Sequence, residues 1–197
     1  MPNGPFPENI HLSSHSITSL PAYWTSTFDL VNQRMLTGSL FRPAWKAALF
    51  EYHRVLKPTG HLQLVDVAKN PIRLTRDRVA TPATEKLQTH YHTQFNRKTD
   101  YIRNGPEELP EWLSEAGFRD IRCEVKEGPR LGRKWGGELG AEALENSITW
   151  IRTVNRAASE PGDMASHDFD ELVEAYRKEA EDEGLPGLEF FFITARK

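Results

Sequence analysis

Hydrophobic residues fall in short runs and in helical stripes along the first third of the chain. The run Phe28–Val31 is typical of a fully buried strand. Pro43 precedes Ala44–Leu56, where apolar residues recur every three or four positions, as on the buried face of a helix. After a turn at Lys57–Gly60, the residues His61–Val67 predict a second buried strand. This order of strand, helix and strand predicts a right-handed βαβ unit with parallel strands.

The rest of the pattern predicts further helices and strands around that unit. A short strand is also expected near the start, after a flexible arm at residues 1–8 that is rich in proline. Together the elements predict one α/β domain over residues 1–197, with a mostly parallel sheet and a C-terminal antiparallel hairpin. The expected elements are helices at Thr84–Phe95, Pro106–Glu115, Ala141–Ala157 and Phe169–Glu183, strands at Asn9–Leu12, Ile121–Val125 and Leu188–Ala195, and a glycine-rich loop at Gly128–Gly140.

Composition narrows the classes of function. The 25 basic and 28 acidic residues give a net charge of -3, so the chain has no basic excess for tracking a nucleic-acid backbone. Its single cysteine excludes an internal disulfide and fits a reducing compartment. No run approaches the roughly 18 apolar residues of a membrane span. We therefore expect a cytoplasmic protein, with the nucleus as an alternative, and no nucleic-acid or membrane partner.

Several motifs along the chain share the spacing of one known family. Phe28–Val31 reads Phe-Asp-Leu-Val, and Arg54–Gly60 reads Arg-Val-Leu-Lys-Pro-Thr-Gly. Downstream, Leu109–Phe118 ends in Ala-Gly-Phe, and Gly128–Trp135 contains Leu-Gly before a tryptophan. These motifs resemble the class I S-adenosylmethionine-dependent methyltransferases, especially the fungal group tied to secondary metabolism and its regulation. The resemblance covers almost the whole chain and implies a Rossmann-like methyltransferase fold that is partial here.

The resemblance also implies where the cofactor would bind. It places Ser16 where the family has the aspartate that holds adenine, and Asn32 and Gln33 at the methionine end of S-adenosylmethionine. The family's glycine-rich turn, roughly D-x-G-x-G-x-G, and the acid that holds the ribose have no counterpart in this sequence. We therefore expect a chain truncated relative to the family, with weak or absent cofactor binding by itself.

The carboxyl ends of the two buried strands carry candidate substrate-side residues. Arg34 follows the first strand, and a guanidinium there can fix a carboxylate or stabilise an oxyanion. The alternative is that Arg34 pairs with a nearby acid. Asp66 closes the second strand and is a candidate substrate ligand; the alternative is a solvated strand end. Crevices outside such strand ends are where open α/β sheets bind ligands.

Two histidines and two tryptophans complete the candidate site. His90 and His92 are candidate proton-transfer groups, because the pKa of histidine lies near neutrality. On a helix they point about 200° apart, so we expect no metal site. Trp112 and Trp135 are candidates for lining a substrate pocket. The alternatives are a polar helix surface for the histidines and an ordinary core for the tryptophans.

Three functions remain open from the sequence. The first is methyl transfer in small-molecule, secondary metabolism, with the cofactor site completed elsewhere. The second is a cofactor-independent cyclase, isomerase or lyase that reuses the substrate pocket. The third is a non-catalytic partner of a full-length relative. Because missing strands leave an exposed sheet edge at Asn9–Leu12 or Phe28–Val31, we also expect a homo-oligomer or association with a related protein.

Overall fold

The computed structural model describes residues 7–36, 39–67, 81–96 and 105–197. These residues form a four-stranded sheet and five α-helices, with short 3₁₀ turns at Ala22–Trp24 and Gly105–Glu108. The helices predicted from the sequence are all present, with shifted ends. The elements in chain order are β1 (Phe28–Arg34), α1 (Arg42–Val55), β2 (Leu56–Val67), α2 (Pro82–Asn96), α3 (Leu109–Glu115), β3 (Arg119–Glu127), α4 (Arg133–Ala158), α5 (Ser166–Glu183) and β4 (Glu189–Arg196).

The strands pair in the order β1-β2-β4-β3. β1 and β2 are parallel, as the βαβ prediction requires, whereas β4 is antiparallel to both β2 and β3. The α/β class is confirmed, but the prediction of a mostly parallel sheet is wrong for the described strands. The last strand, β4, lies between β2 and β3 and runs antiparallel to both. No local sequence pattern predicts this position. β3 and β4 do pair antiparallel, although α4 and α5 rather than a tight turn connect them.

The main core lies on one face of the sheet. The predicted stripe of α1 is buried and packs with α3 against side chains of β2 and β4. Gly60 lies in the bulge where β2 leaves α1, and a Cβ atom there would come within 3.1 Å of the backbone oxygens of Lys57 and Phe28. The buried stripe consists of Trp45, Ala48, Leu49, Tyr52 and Val55.

The short strand predicted at Asn9–Leu12 is absent. These residues have no strand pairing, and Ile10 and Leu12 are 44% and 60% exposed. The only bridge described in this region joins Ser16 to Ser19. A four-residue run with neither a buried face nor a neighbouring strand gains too little free energy from packing and hydrogen bonding to stay extended. An isolated strand is not stable by itself. β1 is therefore the edge strand among the described residues.

The glycine-rich segment predicted as a loop instead becomes helical at Arg133, the first residue of α4. The helix is interrupted at Gly137, whose φ of 61° and ψ of -148° suit glycine alone. Gly140 lies where an added Cβ would be 2.5 Å from the oxygen of Arg130 and 2.7 Å from that of Gly132. The glycines thus allow close backbone packing between this segment and α4.

A second hydrophobic cluster joins α2, α4 and α5. Its polar anchor is Glu179 on α5, whose carboxylate accepts the backbone N–H groups of Ala83 at 2.7 Å and Thr84 at 3.0 Å. The hydroxyls of Thr81 and Thr84 also donate to it. A carboxylate at the first turn of α2 satisfies donors that a helix cannot pair internally. This contact fixes the start of α2 on α5.

Arg54 anchors the segment before β1 to the last turn of α1. Its guanidinium donates to Glu51 at 2.7 and 2.8 Å, to the oxygen of Leu20 at 2.9 Å and to the Thr25 hydroxyl at 2.7 Å. Glu51 in turn accepts the N–H of Leu20 at 2.6 Å. The side chain of Arg54 is 29% exposed. One planar guanidinium therefore satisfies groups from three parts of the chain.

We predict that Arg54→Ala lowers the free energy of unfolding by about 1–3 kcal/mol, because it leaves the Leu20 carbonyl without its donor and the Glu51 carboxylate without its cationic partner. Urea unfolding followed by circular dichroism measures this. Lys57→Ala is the matched control, since the Lys57–Asp29 pair is exposed and is expected to contribute less than about 0.5 kcal/mol. Equal losses in the two variants would contradict the anchoring role.

The pH dependence gives a second readout of the same contact. The hydrogen bond from Arg54 lowers the pKa of Glu51 from its usual 4.5, against burial, which raises it. A carboxylate whose pKa is lower in the folded than in the unfolded state stabilises the fold at pH values above its unfolded pKa. This stability is lost as the pH falls through the folded pKa. Wild type should therefore lose more stability than Arg54→Ala between about pH 5 and about pH 3.

Candidate functional site

A buried polar network lies at the carboxyl ends of β1 and β2. Asp66 is fully buried, and its Oδ2 accepts the N–H of Leu36 at 3.0 Å and the side-chain amide of Gln33 at 3.5 Å. Its Oδ1 accepts the N–H of Val67 at 3.0 Å. Tyr52 of α1 donates its hydroxyl to Gln33 Oε1 at 3.1 Å. The network ties the end of β1 and the turn after it to β2 and α1.

Burial fixes the direction of these hydrogen bonds. It raises the pKa of Tyr52 to about 12, so the phenol stays protonated and donates a hydrogen bond to Gln33 Oε1. The Gln33 amide then points its nitrogen at Asp66. The alternative of a solvated strand end is wrong for Asp66, which supports the backbone of the turn instead. Substrate binding by Asp66 and cofactor binding by Gln33 stay predictions.

Asn32 and Arg34 lie on the opposite face of β1. Both side chains are exposed, because alternate residues of a strand point to opposite faces. Asn32 donates its amide to Gln63 Oε1 of β2 at 3.0 Å. Within the described part of the chain, Arg34 has no hydrogen-bond or ion-pair partner. The alternative that Arg34 merely pairs with a nearby acid therefore has no support among the described contacts, and substrate binding by Arg34 stays a prediction.

Ser16 lies near the other end of β1. Its neighbour His15 packs edge-on against Trp24, with ring centroids 4.9 Å apart, and Trp24 packs against Phe28 at 5.2 Å. Phe28 is the first residue of β1, and Asn32 is about 13 Å further along the strand at 3.3 Å per residue. The Ser16 hydroxyl is itself bonded to Thr18 at 2.9 Å. The structure therefore does not bring Ser16 together with Asn32.

The two candidate histidines have different surroundings. His90 Nε2 lies 2.8 Å from Asn155 Oδ1 of α4, and because that oxygen can only accept, Nε2 carries the proton. Gln94 donates to the same oxygen at 2.7 Å. His92 is exposed, and its ring packs near that of Tyr91. The pair does not converge on one point, and His90 is engaged in holding α2 on α4.

The two candidate tryptophans also make structural contacts. Trp112 is buried in the main core, with the guanidinium of Arg42 5.2 Å from its ring centroid. Trp135 donates its indole N–H to the oxygen of Glu181 at 3.1 Å and lies under Arg130, 4.6 Å from the ring centroid. Pocket lining stays a prediction for both residues.

Trp45 is a feature that the sequence reasoning missed. It lies in the first turn of α1, near the carboxyl ends of the parallel strands, and its side chain is fully buried. Among the described residues its indole N–H has no hydrogen-bond partner. An unpaired buried donor costs about 1–3 kcal/mol, so this position favours a polar atom beside it. Helical periodicity marked Trp45 as core but could not show that its N–H is unpaired.

A parallel β1-α1-β2 unit with polar side chains at the strand ends defines a Rossmann-like α/β protein. The chain is 29% identical over 201 residues to the N-methyltransferase sirN of Leptosphaeria maculans, covering 100% of this chain and 68% of that protein. It is 23% identical over 188 residues to the N-methyltransferase gliN of Aspergillus fumigatus, covering 90% and 64%. These similarities support the resemblance of the chain to class I S-adenosylmethionine-dependent methyltransferases.

The chain spans about two thirds of the length of these two relatives. The secondary metabolism regulator laeA of Gibberella zeae is 28% identical over 106 residues, or 52% of this chain. No protein-family model matches the chain. Among solved structures, a SAM-dependent methyltransferase from Archaeoglobus fulgidus aligns with 94% of this chain and 66% of its own, at 16% identity and a TM-score of 0.44. No described helix is both long and apolar enough to cross a membrane.

We predict that Asp66→Asn lowers the free energy of unfolding by about 1–2 kcal/mol in the absence of any ligand, because one acceptor for a backbone N–H is lost. Chemical unfolding measures the change. Gln63→Ala is the control, since its contact with Asn32 is exposed, and it should shift stability by less than about 0.5 kcal/mol. An unchanged Asp66→Asn variant would show that the carboxylate is not structural.

Proposed function

We propose that this chain forms the substrate-side part of a methyltransferase of small-molecule, secondary metabolism, acting on a nitrogen atom. The observation that carries the proposal is the exposed pair Asn32 and Arg34 at the carboxyl end of β1, beside parallel β2. In open α/β sheets this is the end where ligands bind. The relatives named as N-methyltransferases support the reaction class.

The described residues do not fit S-adenosylmethionine by themselves. Ser16 is at the opposite end of β1 from Asn32, and the amide of Gln33 is engaged by Tyr52 and Asp66. The glycines at 132–140 are used in backbone packing rather than in a phosphate or methionine cradle. We therefore propose that a further polypeptide segment completes the cofactor site.

The substrate side has a definite chemical character. The Arg34 guanidinium offers a fork of N–H donors that suits a carboxylate or a polarised carbonyl. Asn32 beside it is held by Gln63, which fixes its amide for a second polar contact. The buried network beneath keeps the turn after β1 in place. These groups would bind and orient a small polar substrate.

We also propose that the chain works as a homo-oligomer or with a related protein. β1 is an edge strand among the described residues, and its Leu30 is 54% exposed. Proteins usually cover or pair such edges, because an open strand recruits other chains.

The isolated chain is predicted to bind S-adenosylmethionine no tighter than about 1 mM. Each lost ligand hydrogen bond removes roughly 1–2 kcal/mol, and several are missing, so the affinity falls by several powers of ten. Titration calorimetry with the cofactor and with S-adenosylhomocysteine tests this on protein shown to be folded by its thermal transition. Micromolar binding of either compound would contradict the proposal of an incomplete site.

In an assembly that turns over, Arg34→Ala is predicted to lower kcat/KM at least about tenfold, or about 1.4 kcal/mol, with the melting temperature nearly unchanged. Radiolabelled methyl transfer to candidate amines gives the rate. Arg156→Ala, an exposed arginine in the last turn of α4, is the matched control and should change neither quantity. A full rate in Arg34→Ala would remove Arg34 from the site.

A further inference from the structure

The face of the sheet opposite to α1 and α3 changes character along the strands. Toward the carboxyl end of β2 it carries an apolar stripe, in which Val65 is 6% exposed and its neighbours Val67, Phe190 and Phe192 are half-buried. Toward the other end, the side chains of β2, β4 and β3 on this face are polar and exposed. Strand register places there His61 and Gln63 of β2, Thr194 and Arg196 of β4, and Arg119 and Arg122 of β3.

The polar end of this face brings basic side chains directly opposite one another. Arg119 of β3 is the register partner of Arg196 of β4, and Arg196 is in turn the partner of His61 of β2. Directly opposed residues of antiparallel strands lie about 5 Å apart, and like charges in such positions destabilise the sheet. The fold therefore holds two guanidinium groups side by side at a cost in stability.

Acidic side chains offset this repulsion only weakly. The one described contact of the Arg196 side chain with an acid is to Asp120, at 4.0 Å, and both side chains are more than half exposed. Exposed ion pairs contribute little to stability. Within the described part of the chain, neither Arg119 nor Arg122 has a hydrogen-bond or ion-pair partner for its guanidinium.

These basic residues form one surface, here called the arginine patch, which consists of His61, Arg119, Arg122 and Arg196. Its three arginines against Asp120 give a net charge of +2, whereas the whole chain carries -3. An arrangement that opposes folding and has no partner within the described chain is expected where a protein binds something. Here the charge indicates an anionic partner.

We propose that the arginine patch binds an acidic segment of a second polypeptide. Arg122 pairs with Thr194, two residues from Arg196 along β4, so it lies about 7 Å along the strands from the Arg119–Arg196 pair. An extended segment with acidic residues at alternate positions presents its carboxylates at the same spacing of about 7 Å. Each guanidinium can then bind a carboxylate through two N–H groups.

The shape and composition of the patch favour a polypeptide over other anions. Its residues lie on the surface of a sheet, whereas sites for small molecules are concave. The patch contains no phenylalanine, tyrosine or tryptophan, the side chains on which proteins stack the bases of single-stranded nucleic acid. The Gln63 amide and the Thr194 hydroxyl beside it suit the polar groups of a peptide.

The patch is separate from the candidate site at the strand carboxyl ends. His61 lies five residues before Asp66 on β2, or about 17 Å along the strand. The proposal therefore does not depend on the proposed reaction, and its test needs neither cofactor nor substrate.

Peptide binding to the full chain tests the proposal. The probes are two fluorescein-labelled peptides of about 12 residues, in which serine alternates with glutamate in one and with glutamine in the other. Fluorescence anisotropy at low salt should show at least about tenfold tighter binding of the glutamate peptide. Raising the salt should remove most of this difference, because salt screens exposed charges.

Matched variants locate the binding surface. Arg119→Gln and Arg122→Gln should each weaken the glutamate peptide at least about threefold, whereas Arg156→Gln, at an exposed arginine of α4, should not. Arg119→Gln should also leave the melting temperature unchanged or raise it, because it removes a like-charged neighbour of Arg196. A residue kept only for the fold would instead lower the melting temperature when replaced.

Several outcomes would overturn the proposal. Equal binding of the two peptides at low salt is one, and an equal loss of binding in Arg122→Gln and Arg156→Gln is another. A labelled DNA oligonucleotide of about 12 nucleotides that binds more tightly than the glutamate peptide, and loses this in Arg122→Gln, would make nucleic acid the partner. Self-association in sedimentation velocity that Arg122→Gln abolishes would make the partner a second copy of the chain.

Discussion

The packing of α1 onto β1 and β2 is the constraint on which the rest of the structure depends. Its buried stripe fills the main core, and polar contacts from its last turn fix the helix to the strands. Tyr52 reaches Gln33, near the carboxyl end of β1, and through it Asp66. Arg54 of the same turn binds the segment before β1, and Lys197 donates to the oxygen of Leu56 at 2.7 Å. A helix held in this way sets the position of each strand end and therefore of the candidate site.

The parts of the fold that were predictable are those encoded by local periodicity. The stripe of α1 buries enough apolar surface to define an element without help from distant residues. The run at Phe28–Val31 is a strand as predicted, but it is not fully buried: it lies at the sheet edge, Phe28 and Val31 are half-buried, and Leu30 is 54% exposed. The antiparallel pairing of β4 with β3 was predictable, but its position between β2 and β3 was not, because that position depends on where α4 and α5 bring the chain back to the sheet. At Asn9–Leu12 a strand was predicted that does not form. Ile10 and Leu12 have no partner strand and stay exposed.

The sequence predicted which strand end carries the candidate residues, but not that these residues are split between the two faces of the sheet. Asn32, Gln33 and Arg34 lie at the carboxyl end of β1, but they belong to the strand itself, which runs three residues past the predicted end at Val31. The period of two along a strand nevertheless separates them, because Gln33 is turned into the core and its neighbours are exposed on the opposite face of the sheet. That separation follows from strand geometry alone. The position of Ser16 does not, because it depends on the packing of His15 and Trp24 around the start of β1.

The exposed residues of the candidate site lie on the face of the sheet opposite to α1 and α3. Asn32 and Arg34, the exposed residues of the candidate site, lie on the same face as the apolar stripe of Val67, Phe190 and Phe192. A sheet in a layered α/β protein is stabilised by helices on both faces, and ligands bind where strand ends and covering elements meet. Val65 in the middle of that face is only 6% exposed, so the face is covered in part, whereas Asn32 and Arg34 stay exposed at its edge. The candidate site therefore lies at the margin of a partly buried face, where a ligand can reach side chains that the fold holds in place.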